Sequence, residues 1–149
     1  MPTGIEQMEL VPQRFARIGV ALDLGAMDTR VLSFARTMAL QNDAKVILLH
    51  VVEGVGGQLF GKNAYDDEAR DDQQHLAKHA EQLRSAGLEV EAVFGFGRVP
   101  KEIVRLSKES GIDLLIMGGH GHTGFKDIIL GTSISRVRHE LKIPVLVIQ

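Results

Sequence analysis

Residues 114–133 read LLIMGGHGHTGFKDIILGTS: a short apolar run breaks into glycine and histidine, and after nine residues that follow Gly121 comes Gly131-Thr132-Ser133. Four apolar residues bounded by glycine have the length of a buried strand. After Gly131, Ile134, Val137 and Leu141 recur at a spacing that puts them on the inner face of a helix. Strand, glycine-rich connection and helix make one unit of a parallel α/β sheet. Gly118 and Gly121 permit close backbone approach and positive φ, conditions under which successive N–H groups form an anion nest. The start of the following helix also favours anions, through its unpaired N–H groups and its dipole. Thr132 and Ser133 can donate to phosphate oxygens there, or one of them can cap the helix. A plain glycine turn with a hydroxyl cap explains the same residues equally well, because isolated glycine patterns are common.

The same alternation runs through the rest of the chain. IGVALD (18–23) is a strand ending in a carboxylate, and AKVILLHVVE (44–53) is β-branched, apolar and of strand length. Between them Val31, Leu32, Ala35, Met38 and Ala39 repeat at helical spacing, with Asp28 as the expected N-cap. Residues 54–66 hold four glycines and read as a mobile loop. Residues 67–86 carry Leu76, Ala80 and Leu83 on one face and charges elsewhere, an amphipathic helix stopped by Gly87. LEVEAVFGF (88–96) reads as an outer strand, and VPKEIVRLSKESG (99–111) as a helix bounded by proline and glycine. DLLIMG (113–118) and PVLVI (144–148) are the fourth and fifth strands. The expected architecture is a single doubly wound, five-stranded parallel sheet with helices on both faces, a Rossmann-like α/β fold. Ligands then belong at the carboxyl ends of the strands, where strand order reverses. Residues 1–16 read as an N-terminal tail ahead of one domain, 17–149.

At 149 residues one domain can bury ~70% of its unfolded surface. A net charge of −2 argues against general attraction to nucleic acid or anionic membrane. The absence of cysteine removes disulfides, thiolate nucleophiles and sulfur metal ligands, and fits a reducing cytoplasm. The opening residues lack the apolar core of a signal peptide, and no apolar run approaches the ~20 residues that span a bilayer.

Gly118-x-x-Gly121, nine residues, then Gly131-Thr132 resembles the nucleotide-binding signature of the universal stress protein family. RIGVALD, AKVILLHVVE with its His50-Val51 pair, GRVPKEIVRLSKESGIDLLIMGGHG and KIPVLVI resemble that family's strands and third helix, from Arg17 to Gln149. The resemblance implies the adenine nucleotide alpha hydrolase-like fold with strand order 3-2-1-4-5. It implies ATP or AMP as ligand, with Mg²⁺ accompanying a triphosphate. Carried over by position, the phosphates would meet Gly118, Gly119, His120, Gly121, His122, Gly131, Thr132 and Ser133. The adenosine would meet Ala21, Leu22, Asp23, Val51 and Met117, with the Val51 backbone facing the ring edge. Two departures stand out. After Asp23 the family often has a small or turn-forming residue and then serine, where this chain has Leu24, Gly25 and Ala26. His122 occupies a position where the family often has a cation.

The remaining candidates read structurally. His120-x-His122 lacks a carboxylate cluster to complete a metal site. His75 and His79, with Asp71 and Asp72 close by, read as a solvated helix face. His50 reads as a satisfied core histidine, and Asp113 as a residue serving its own turn. No nucleophile sits beside an evident base, so no catalytic residue is expected, and at most weak ATP hydrolysis. The resemblance implies a cytoplasmic, nucleotide-dependent regulatory switch that dimerises through the edge strand 144–148 and acts on a protein partner. Alternatives are a regulatory domain of a membrane transporter, a slow ATPase, and a structural dimer with an empty cleft.

Overall fold

The computed structural model describes residues 9–53, 62–119 and 132–149, with side chains from residue 67 and from residue 134 onward in the last two stretches. The elements are β1 (Arg17–Ala21), α1 (Asp28–Asn42), β2 (Lys45–Val52), α2 (Lys62–Ser85), β3 (Val90–Phe96), α3 (Val99–Glu109), β4 (Leu114–Gly118), α4 (Thr132–Glu140) and β5 (Val145–Ile148). The five strands form one sheet in the order β3-β2-β1-β4-β5, and every neighbouring pair is parallel. The order is the one the family resemblance implied, and the parallel direction is the one the alternation of apolar strands and helices implied.

The near-continuous apolar strands make sense because the sheet is buried on both faces. Ile18, Val20, Val46, Leu48, Leu114 and Ile116 point to one face, where α1 and α2 cover them with Val31, Leu32, Ala35, Leu76, Ala80 and Leu83. Their alternate neighbours Ile47, Leu49, Leu115 and Met117 point the other way, under Val99, Ile103 and Leu106 of α3 and Val137 of α4. Strand alternation thus sorts a single apolar run into two cores. Gly19 sits against the second core, where a Cβ would overlap the Ile112 side chain.

Two local expectations are corrected. The glycine-rich stretch 54–66 is not all loop. Residues 54–61 lie outside the described residues, but α2 starts at Lys62, directly after Gly61, the last helix-breaking residue before it. Asp113 does not serve its own turn. Its carboxylate accepts from the N–H groups of Ala16 at 2.8 Å and Arg17 at 3.1 Å, 97 and 96 residues earlier, and so fastens the start of β1 beside the start of β4. Arg17 completes the latch: its Nε donates to the Ser110 carbonyl at 2.7 Å, and its own carbonyl accepts from Asp113 N–H at 2.9 Å.

Two backbone donors accepted by one carboxylate make Asp113 the more valuable side of this latch. Asp113→Ala is expected to cost about 1–3 kcal/mol in urea unfolding, with Asp113→Asn intermediate because its carbonyl still accepts one bond. An Ala variant as stable as the parent would refute the latch.

Candidate functional site

The connection leaving β1 passes to the α1–α2 face, while α4, which follows β4, packs on the other face. Neighbouring strands whose connections part in this way leave a crevice at their carboxyl ends. A cleft of about 490 Å³, part of it open to solvent, lies there. Its walls come from Ala21 at the end of β1 and Leu22 and Asp23 after it, from Met27, Asp28 and Val31 at the start of α1, and from Leu49 and Val51 of β2. Met117 and Gly118 of β4 and Val99 and Ile103 of α3 complete it.

Its shape depends on how β1 ends. Leu22 N–H still donates to the Leu49 carbonyl at 2.9 Å, the last rung towards β2. The next acceptor, the Leu22 carbonyl, is taken by the His50 ring, Nδ1 to O at 2.8 Å. A carbonyl only accepts, so Nδ1 carries the proton. Leu24 then turns the chain away with φ of 61°, a left-handed conformation that costs a side-chain-bearing residue about 1 kcal/mol or more. The Asp23 carboxylate stabilises the turn by accepting Gly25 N–H at 2.9 Å. Val51 lies two residues beyond Leu49, so its backbone groups face the same side, where β1 has already ended.

His50 is a satisfied core histidine, as its setting suggested: it is 3% exposed, and its Nε2 meets Asp72 Oδ2 at 2.8 Å. The solvated reading of the α2 face is corrected here. Asp72 holds His50, and His79 is largely buried with its Nε2 3.3 Å from Asp28 Oδ2. Leu76, Ala80 and Leu83 mark the inward stripe of α2, and Asp72 (i−4) and His79 (i+3) extend it. His75 stays exposed, with its ring 4.9 Å from that of His79.

Asp28 is the site residue that sequence reasoning missed. It is not the N-cap: Met27 holds that position without a side-chain cap, and Asp28 is the first helical residue, 4% exposed. Burial first, then the charge of Asp23 and a hydrogen bond with its carboxyl, push the Asp28 carboxyl up to about 7, against opposing bonds from the Leu24 and Gly25 backbone. Burial, and to a lesser degree the nearby His75, push His79 below the usual imidazole range, despite a bond to Gln82. Asp28 Oδ2 and His79 Nε2 approach closely but lack the alignment of a hydrogen bond. Near neutral pH this contact therefore joins two groups held towards their uncharged forms, not an ion pair.

On the phosphate side, Gly118 lines the cleft, whereas Gly119 turns its N–H to the Ile148 carbonyl at 2.7 Å. Thr132 and Ser133 open α4, with their side chains outside the described residues, and His120, Gly121, His122 and Gly131 also lie outside them. Among the described residues no group of three or more His, Asp or Glu is placed to hold a metal ion, and no helix is long and apolar enough to cross a membrane.

Residues 14–149 match the model of the universal stress protein family. The chain belongs to that family. Universal stress protein MJ0577 of Methanocaldococcus jannaschii is 33% identical over 88 residues, covering 59% of this chain and 52% of that relative. Universal stress protein YxiE of Bacillus subtilis is 25% identical over 147 residues, covering 91% and 99%. Among solved structures, universal stress protein UspA from Lactobacillus plantarum superposes with a TM-score of 0.80 at 19% identity, over 93% of this chain and 100% of its own. A universal stress protein in complex with cAMP and one from Archaeoglobus fulgidus in complex with dAMP each superpose at 0.68, with 20% and 21% identity. The first covers 92% of this chain and 98% of its own, the second 92% and 100%.

The raised Asp28 carboxyl has a consequence for stability. The unfolded chain loses this proton near 3.8 and the folded chain near 7, so stability falls as pH rises through that window. Above it the buried charge costs on the order of 4 kcal/mol. Asp28→Asn, which keeps a neutral hydrogen-bonding group, is expected to be more stable than the parent at about pH 8, with the gain vanishing near pH 4. A gain of equal size at both pH values would contradict the buried, protonated carboxyl.

Proposed function

We propose that the chain binds an adenine nucleotide, ATP or AMP, in the cleft between β1 and β4 and acts as a nucleotide-dependent regulatory switch. The observation that carries this reading is convergence: Ala21, Leu22, Asp23, Val51, Met117 and Gly118, which the family resemblance implied as ligand-facing, line one cleft at the switch point of the sheet. Apolar walls from Val31, Leu49, Val99 and Ile103 suit the faces of a purine, and a few polar groups at one end suit its orientation. Val51 turns unpaired-side backbone towards the cleft, which fits recognition of a ring edge. Relatives of the same fold are solved with cAMP and dAMP, both adenine nucleotides.

In this reading the phosphates lie towards Gly118–His122 and Gly131–Ser133, with Mg²⁺ accompanying a triphosphate. Nucleotide binding orders the connection between those glycines and changes a surface that a protein partner reads. β5 is an edge strand with Val145, Leu146 and Val147 only partly covered, which favours pairing with a second copy through residues 144–148.

The test is to denature freshly purified protein, identify any released nucleotide by mass, and measure thermal shifts with added ATP and AMP. Nucleotide release, or stabilisation approaching ~2.7 kcal/mol at a hundredfold excess over Kd, is expected. A Gly131→Val, Thr132→Ala variant is expected to lose both. No release, and no shift with ~1 mM of either nucleotide, would contradict the reading.

A further inference from the structure

The backbone rungs between β1 and β2 run from Lys45 N–H, which donates to the Ala16 carbonyl, to Leu22 N–H, which donates to the Leu49 carbonyl. In such a parallel ladder the odd-numbered residues of β2 present both backbone groups to β1, and the next rung would join Val51 N–H to the Leu22 carbonyl. That rung is not made, and pairing ends at Ala21 and Leu49. The Leu22 carbonyl meets His50 Nδ1 instead, at 2.8 Å. Leu22 is buried, so its carbonyl needs a donor from the protein. The ladder offers one in Val51 N–H, and the imidazole offers the other.

We propose that His50 is a positioning residue for base recognition: by holding the Leu22 carbonyl, its imidazole keeps Val51 N–H out of the ladder and able to donate to the ring edge of a purine in the cleft. The proposal rests on the nucleotide reading and adds the residue that makes its base contact available. Packing alone does not call for a polar ring here, since Val46 and Leu48, on the same face of β2, are aliphatic and fully buried. The ring is held from two further sides. Asp72 Oδ2 of α2 stands 2.8 Å from Nε2, and a partner on one imidazole nitrogen fixes how the other is presented. Phe94 of β3 meets the ring edge to face, with centroids 5.6 Å apart at 78°.

The N–H and carbonyl of Val51, both directed from β2 towards the cleft, set a donor beside an acceptor. Adenine carries the complement along one edge, the N1 lone pair beside the exocyclic N–H. Without the imidazole the Leu22 carbonyl would take Val51 N–H, and β1 would lengthen by one rung. The cleft would keep its apolar walls and lose the donor. Binding would then persist without reading N1.

The experiment compares adenosine with 1-deazaadenosine, which has C–H in place of N1, by calorimetry on the full chain. The parent is expected to prefer adenosine by about tenfold, the worth of one hydrogen bond to a buried donor. In His50→Leu the preference is expected to fall to within about twofold, and Val51 amide exchange to slow in the ligand-free protein. His50→Asn, whose amide nitrogen lies near the place of Nδ1, is expected to keep the preference. General destabilisation lowers both affinities together, so their ratio separates positioning from packing. Should His50→Leu fail to fold, the parent decides: long-range ¹H–¹⁵N spectra are expected to show Nδ1 protonated, and adenosine to slow Val51 amide exchange. An unprotonated Nδ1, or Val51 exchange indifferent to adenosine, overturns the proposal. So does equal binding of the two nucleosides by the parent, or a preference that survives in His50→Leu. No binding of adenosine or AMP overturns the nucleotide reading, and this proposal with it.

Discussion

The cleft exists because β1 stops at Ala21, opposite Leu49, while β2 runs on to Val52. At Leu22 the rung that would continue to β2 is taken by the His50 ring, whose other nitrogen is fixed by Asp72 on α2. That single side chain converts a strand end into a turn. Leu24 pays for the turn with a left-handed backbone, and Asp23 holds it by accepting Gly25 N–H. What remains is a gap beside β2, with the Val51 backbone facing it and β4 closing its other side. Leu24 packs against the core, so burial offsets part of what a glycine would save.

The ends of the sheet are fastened by different physics. At the amino end Asp113 ties β1 to β4 through backbone donors. At the carboxyl end titratable groups accumulate: Asp23 and Asp28 line the cleft, and His79 of α2 approaches Asp28 of α1. Stability concentrates at one end and responsive chemistry at the other, as expected when a rigid sheet presents a site at its strand ends.

Much of this was legible in the sequence because burial on both faces leaves unmistakable apolar runs, and IGVALD, AKVILLHVVE and DLLIMG each became the strand they suggested. Strand order came from family resemblance, not from periodicity. Asp28 was misread because a carboxylate ahead of an apolar repeat usually caps a helix, and its burial depends on α2, some fifty residues further along the chain. His79 and Asp72 were legible after all: adding three to Leu76, or subtracting four, lands on each. Their charge, which ordinarily marks a solvated face, masks that spacing. Asp113 gave no such signal, since its partners lie 96 and 97 residues away.

The most direct test of the central claim is to titrate AMP into ¹⁵N-labelled protein and follow backbone amide resonances. Saturable shifts are expected at Asp23, Val51, Met117 and Gly118, with Lys45, Val90 and Leu114 at the opposite end of the sheet unmoved. Saturable binding that leaves the first group unmoved and shifts resonances elsewhere would contradict it.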